Sequence, residues 1–199
     1  GGRMGDLFAA GNGNATFTCV SVAGNAVYLA GRSAVQYQVT PNGSVPVNGI
    51  KGALFGSSAC SAALQGLMSG PRTHLLEAEY ARIARRSIDA NDQLTAALAS
   101  ASLATPFPAG NNLASQLAMV ARMVAARDVL GARRQVFFVS LGGFDTHDSL
   151  ATVHPGLMSA VGDALAAFYQ ATVALGVASQ VTTFTASDLG RTLLSNTDG

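Results

Sequence analysis

Two side chains sit where chemistry is easiest to place: Asp145 and His147, two apart and directly after the pair Gly142-Gly143. A carboxylate and an imidazole at that spacing are oxygen and nitrogen donors suited to a divalent metal ion. The two glycines remove side chains where the backbone must turn sharply or let a ligand approach. Before them, Gln135 to Leu141 is a continuous apolar run rich in Val and Phe. Such a run predicts a strand covered on both faces, the central strand of a parallel sheet. In open α/β sheets ligands gather outside the carboxyl ends of the strands, so Asp145 and His147 belong at such an end. The plainer alternative is that Asp145 caps a turn and His147 is an ordinary loop histidine.

A second set follows the run Val181 to Ala186, which reads as another strand ending in Ser187-Asp188-Leu189-Gly190-Arg191-Thr192. Between the two runs, His154-Pro155 predicts a helix start with proline at the first position. Leu157, Val161, Leu165 and Phe168 give that helix its apolar stripe, and Gly176 ends it. A strand, a helix and a strand of this length make a right-handed crossover, so the two strands are expected to be parallel. Asp188 and Arg191 then emerge on the same rim as Asp145 and His147. Three potential metal ligands and one anion-binding guanidinium would share an edge. The alternative keeps Ser187 as the N-cap of a short helix, Asp188 favouring its dipole, and Arg191 in a surface ion pair.

The rest of the chain has to supply the frame. Residues 3 to 10 predict a short helix ended by Gly11 to Asn14. Phe17 to Val22 and Ala26 to Leu29 are β-rich runs around Gly24-Asn25, read as a hairpin or as a strand, a turn and an extended segment. Val35 to Thr40 alternates and closes at Pro41-Asn42-Gly43, and these strands are expected to be half exposed. A loop over 44 to 56 leads to a short helix near 57 to 68. The longest helix is expected over 73 to 100, with Leu76, Tyr80, Ile83, Ser87, Ala90, Leu94 and Ala97 on its packing face. Glu79 with Arg82, and Arg85 with Asp89, are spaced as ion pairs worth about 0.2–0.5 kcal/mol each. Thr105 to Gly110 breaks the chain. Asn111 or Asn112 caps the next helix, whose stripe is Leu113, Leu117, Val120 and Val124, and Leu130-Gly131 ends it.

At 199 residues the chain is long enough for one domain with a sizeable core. Hydrophobic residues make up 49% and charged residues 12%, yet no stretch is long enough to span a bilayer. A net charge of +1 without a basic cluster gives no footprint for nucleic acid. Cys19 and Cys60 lack metal-ligand spacing and are read as two buried thiols rather than a disulfide. The chain opens at Gly1-Gly2-Arg3 and stops at Asp198-Gly199 in what reads as a loop, so it is expected to be a piece truncated at both ends.

Gly142-Gly-Phe-Asp-Thr-His147, the helix containing Ala164-Leu-Ala-Ala-Phe-Tyr169, and Ser187-Asp-Leu-Gly-Arg-Thr192 resemble the bacterial domain-of-unknown-function family 1501. The resemblance covers most of the chain, with its specific motifs in the last third. It implies an exported protein, periplasmic or secreted, of the alkaline phosphatase and sulfatase superfamily. In that superfamily an Asp and a His after one strand bind one metal, and an Asp after the next strand binds a second. Asp145 and His147 take the first role by resemblance and Asp188 the second. Two departures stand out: Leu189 occupies the place of a metal-binding histidine in phosphatases, and Asp188-Leu189 replaces the Glu-Phe usual in the family.

The fold expected is therefore α/β: part of a doubly wound, mainly parallel sheet flanked by helices and alkaline phosphatase-like, with a β-rich amino-terminal portion, in a single incomplete domain over 1–199. The function expected is metal-dependent hydrolysis of a small anionic phosphate or sulfate ester, with a divalent metal as cofactor and Arg191 holding the anion. No Ser or Thr nucleophile is identifiable, and the piece alone is expected to be inactive and, with an unpaired sheet edge, loosely folded. The competing reading is a non-catalytic binding or cell-envelope protein that keeps the fold. Nucleotide binding is disfavoured because no glycine fingerprint opens a helix after the strand.

Overall fold

Cys19, Val20 and Ser21 are wholly buried and form β1 (Cys19–Ser21), the middle strand of a three-stranded sheet. On one side lies β2 (Tyr37–Gln38), in register Val20 with Tyr37. On the other lies β3 (Val136–Phe138), in register Cys19 with Val136 and Ser21 with Phe138. Both pairings are parallel. The computed structural model describes residues 1–191, 193 and 194. Thr192, which closes the second motif, and the expected loop at Asp198-Gly199 lie outside the described residues.

The apolar run expected to be the central strand is thus the edge of the described sheet, shortened to Val136–Phe138 and half-buried. The centre belongs to β1, and its full burial corrects the expected half exposure. Of the two readings of 17–29, the hairpin does not form, and the strand followed by a turn does, with a 3-10 turn in place of the extended segment. Gly24, at φ +78°, turns the chain, and Val27–Leu29 makes a 3-10 turn that drops Leu29 into the core with Cys19 and Ala26. Because β1 and β2 are parallel, the chain between them must cross over, and parallel pairs need about a dozen residues or more for that.

Helix α1 (Gly2–Ala9) buries only Gly2 and Gly5. A methyl group at Gly5 would strike the Cys19 sulfur, and one at Gly2 the Ala30 carbonyl, so only glycine lets the helix come this close. On the same helix Asp6 accepts from the backbone N–H of Arg32 at 2.8 Å, Ser33 at 2.9 Å and Ala34 at 2.7 Å. Those N–H groups hold the carboxyl far below the usual carboxylate range. After the helix, Asn12 accepts from Arg133 and Arg134 N–H at 2.8 and 3.0 Å and donates to Thr18 Oγ1 at 2.8 Å and Arg134 O at 2.9 Å. One amide therefore ties the entries of β1 and β3 together.

Two compact units divide the chain, one of Gly1–Asn42 with Ala101–Gly199, the other Gly43–Ser100. In the second, α2 (Ser58–Ser69) and α3 (Leu75–Ala99) match the expected helices. Asn91, buried on α3, donates to Ser44 Oγ at 2.7 Å and accepts from Lys51 at 2.9 Å, which anchors the loop before α2. The expected face of α3 holds only in its second half, at Ala90, Leu94 and Ala97. Leu76, Tyr80 and Ile83 are exposed, because the buried line in the first part runs through Ala81 and Ile88 instead. Glu79 pairs with Arg82 as expected, at 2.8 Å from Nε, while Arg85 donates to the Ser69 carbonyl instead of meeting Asp89. Both cysteines are free: Cys19 is buried, Cys60 exposed rather than buried.

In the first unit α4 (Asn112–Ala125) is capped by Asn111, whose Oδ1 accepts from Ala114 N–H at 3.1 Å. Its stripe of Leu113, Leu117 and Val120 is buried, and α4 packs against α5 (Leu150–Ala174), which buries Ala164, Ala167, Phe168 and Ala171. Helix α5 starts before the expected His154-Pro155. Pro155 lies in the second turn, where its missing N–H omits a single bond to the Ala151 carbonyl. Gly176, at φ +70°, ends this region as expected. The expected strand over 181–186 is absent. A 3-10 turn at Ala178–Gln180 precedes it, and the run beyond is mostly exposed, Phe184 to 67%. Its β propensity finds no ladder because no described strand pairs with it. No described helix is long and apolar enough to cross a membrane.

The Asp6 contacts set an acid dependence. A carboxyl whose folded pKa is depressed contributes stability above its unfolded pKa and loses it as pH falls through the folded value. The melting temperature is expected to fall as pH drops below about 5. The Asp6→Asn variant should melt lower at neutral pH and show a flatter acid profile, measured by circular dichroism between pH 7 and pH 2.

Candidate functional site

The turn that carries Asp145 and His147 is held at four points. At its entry, Gln116 of α4 meets Ser140: Oε1 accepts from the Ser140 N–H at 3.0 Å, and Nε2 donates to its carbonyl at 2.8 Å. Gly143 then takes φ +96°, and a Cβ there would lie 3.3 Å from the Leu157 side chain of α5. Phe144 packs edge-on against the His154 ring, centroids 6.1 Å apart. At the far end Arg191 forks onto Thr146, with Nη1 at 3.0 Å from Oγ1 and Nη2 at 2.9 Å from the carbonyl.

Between these anchors Asp145 and His147 face one another, Oδ2 to Nε2 at 3.4 Å, both well exposed. Two donors at that separation can contact one cation together, and their oxygen and nitrogen chemistry fits a divalent metal. Asp188 lies on the exposed segment that ends in Arg191. Among the described residues no three His, Cys, Asp or Glu side chains are grouped as metal ligands, so the structure brings together Asp145, His147 and Arg191 without Asp188 completing a three-ligand set. The residues present thus fit part of a metal site, two ligands of the three or four such sites use.

Neither plain alternative for the second motif holds. Ser187 caps no helix among the described residues, its hydroxyl donating to the Leu189 carbonyl, and Arg191 binds the Thr146 peptide rather than a surface carboxylate. Sequence reasoning passed over Gln116 and His154. Gln116 had a signal: it is a polar residue on the same helical face as Leu113 and Val120, and the structure buries it. His154 had none, since its contact with Phe144 depends on the helix beginning before it.

Replacing Gly143 tests how tightly the turn is set. Gly143→Ala puts a side chain at a positive φ and against Leu157, and strain of this kind costs on the order of 1–3 kcal/mol. A melting temperature lowered accordingly is expected in thermal denaturation, and an unchanged one would show that the turn relaxes freely.

The model of a family described as "Protein of unknown function (DUF1501)" matches residues 69–199. No curated protein matches the chain, and no solved structure does. The family match takes in α3, α4, β3 and α5 together with both the Gly142–His147 turn and the Asp188–Arg191 segment, and with well over half of its length covered the chain belongs to the DUF1501 family.

Proposed function

We propose that this protein has the alkaline phosphatase and sulfatase type of fold, is exported to the periplasm or beyond, and acts in its complete form as a metal-dependent hydrolase of a phosphate or sulfate ester. Asp145 and His147 are the first ligands of a divalent ion, Asp188 joins them or binds a second ion, and Arg191 faces the ester anion. The observation that carries this reading is the Asp145–His147 pair with the Arg191 guanidinium fixed on the residue between them. The pair lies in the turn that follows a parallel strand, the side on which α/β sheets hold ligands, and the guanidinium rests on Thr146 between the two. Arg191 uses two of the five N–H donors of a guanidinium on Thr146, and the others suit the oxygens of a tetrahedral anion. When bound, the metal would act as a Lewis acid on an ester oxygen.

A second reading has its own support. Leu189, where the resemblance puts a histidine in phosphatases, and a ligand set that stops at two donors among the described residues favour a protein that binds a metal or an anion without hydrolysis.

Titration of the complete protein with Zn²⁺ and Mn²⁺, followed by assays with p-nitrophenyl phosphate and p-nitrophenyl sulfate, separates the two. Under the hydrolase reading the ion binds, Asp145→Asn and His147→Ala each weaken it by more than about tenfold, as even outer-shell changes do, and ester turnover falls with it. Binding without turnover supports the second reading. Absence of binding overturns both as far as the metal is concerned.

A further inference from the structure

We propose that Gln116 is the positioning residue of the Asp145/His147 turn, its side-chain amide taking the place of the next peptide of β1. The purpose of the turn rests on the function proposed above; the positioning itself does not.

In a parallel ladder every second residue turns its N–H and C=O to the same neighbour. On β3 these are Val136, whose N–H donates to the Thr18 carbonyl at 2.7 Å, and Phe138, whose carbonyl accepts from Val22 N–H at 2.9 Å. Ser140 is the next in that series. By then β1 has ended at Ser21 and the chain has turned at Gly24, so no peptide of β1 stands opposite Ser140. Gln116 supplies the two groups a peptide would: a carbonyl oxygen for the Ser140 N–H and an N–H for the Ser140 carbonyl. Its Nε2 also donates to Asn112 Oδ1 at 3.2 Å, so turning the amide over would put donor against donor at Ser140 and acceptor against acceptor at Asn112. Gln116 itself is buried, while Ser140 lies at the exposed end of the strand.

The result is a strand end continued by one peptide-like unit that belongs to a helix. Asn111, the cap of that same helix, donates to the Ala160 carbonyl of α5 at 2.7 Å. The direction in which the chain leaves β3 is therefore referred to α4 and, through Asn111, to α5, the helix against which Gly143 and Phe144 then rest. Asp145 and His147 begin only five residues beyond Ser140, so an error in that direction is carried straight into the separation of their donor atoms.

Gln116→Met keeps the length of the side chain and removes both hydrogen bonds. Hydrogen exchange followed by mass spectrometry on the 199-residue chain is expected to show amides 140–143 exchanging about tenfold faster, the loss of one or two hydrogen bonds, with 17–22 unchanged. Mn²⁺ affinity of the complete protein, read by titration, should fall with the same variant. Gln116→Glu, which keeps an oxygen for the Ser140 N–H and loses the donor, should lie between, and it serves as the test if the Met variant does not fold. Wild-type exchange at 140–143 in either folded variant overturns the proposal. So does acceleration at 17–22 in step with the turn, which would make Gln116 a general structural residue. If Mn²⁺ fails to bind the unsubstituted complete protein, the metal reading fails while the exchange result on the 199-residue chain still decides the positioning role.

Discussion

A strand with no exposure on any residue must find every backbone partner inside the protein, and β1 meets that demand with parallel ladders on both edges. Much of the first unit follows from it. Parallel neighbours cannot be joined by tight turns, so β2 arrives by a crossover and β3 from more than a hundred residues away. Burial of both faces needs covers that come close, and α1 achieves this with Gly2 and Gly5 in contact with Ala30 and Cys19. The crossover in turn needs an anchor, which the Asp6 carboxylate provides by gathering the consecutive N–H groups of Arg32, Ser33 and Ala34. Desolvation in the same core raises the Cys19 thiol pKa, keeping it a protonated packing group.

Side-chain amides do for the strand ends what neighbouring strands do for the strand centres. Asn12 bridges the entries of β1 and β3, Gln135 donates to the Phe17 carbonyl at 3.0 Å beside it, and Gln116 receives the exit of β3. A carboxamide is suited to this because it offers the same donor and acceptor pair as a peptide. The short sheet is thereby bounded at both ends by hydrogen bonds that no strand pairing provides, and the turn bearing Asp145 and His147 leaves from a defined point.

The helices were legible in the sequence because their signals are local. Asn111 as a cap, Gly176 as a stop and the stripe of Leu113, Leu117 and Val120 need only a few neighbouring residues to act. The sheet was less so. Three buried residues carry no period, so nothing marked Cys19–Ser21 as the centre, while the longer run of Val and Phe at 136–139 drew that role to what is an edge. Pro155 misled because proline's preference for the first helical position is a tendency that one omitted bond in the second turn does not overrule. At the site, Asp145 and His147 could be placed because a strand end and residue types announce them, whereas Arg191 reaches the turn without the strand expected to deliver it. The contacts that hold them, Gln116 to Ser140 and Arg191 to Thr146, join residues 24 and 45 apart in sequence, and no local pattern encodes such a pairing. The missing ladder at 181–186 belongs to the same class, since propensity says what a segment prefers and nothing about whether a neighbour is there.

The two cysteines fall one in each compact unit, Cys19 sealed within the sheet and Cys60 open to solvent on α2. A thiol reagent added to the native protein meets Cys60 at once, whereas Cys19 becomes reachable only when α1 or the strands beside it part. Timed labelling therefore counts openings of the first unit against a constant signal from the second. The chain carries, without any engineering, its own clock for how often the sheet that supports the candidate site comes undone.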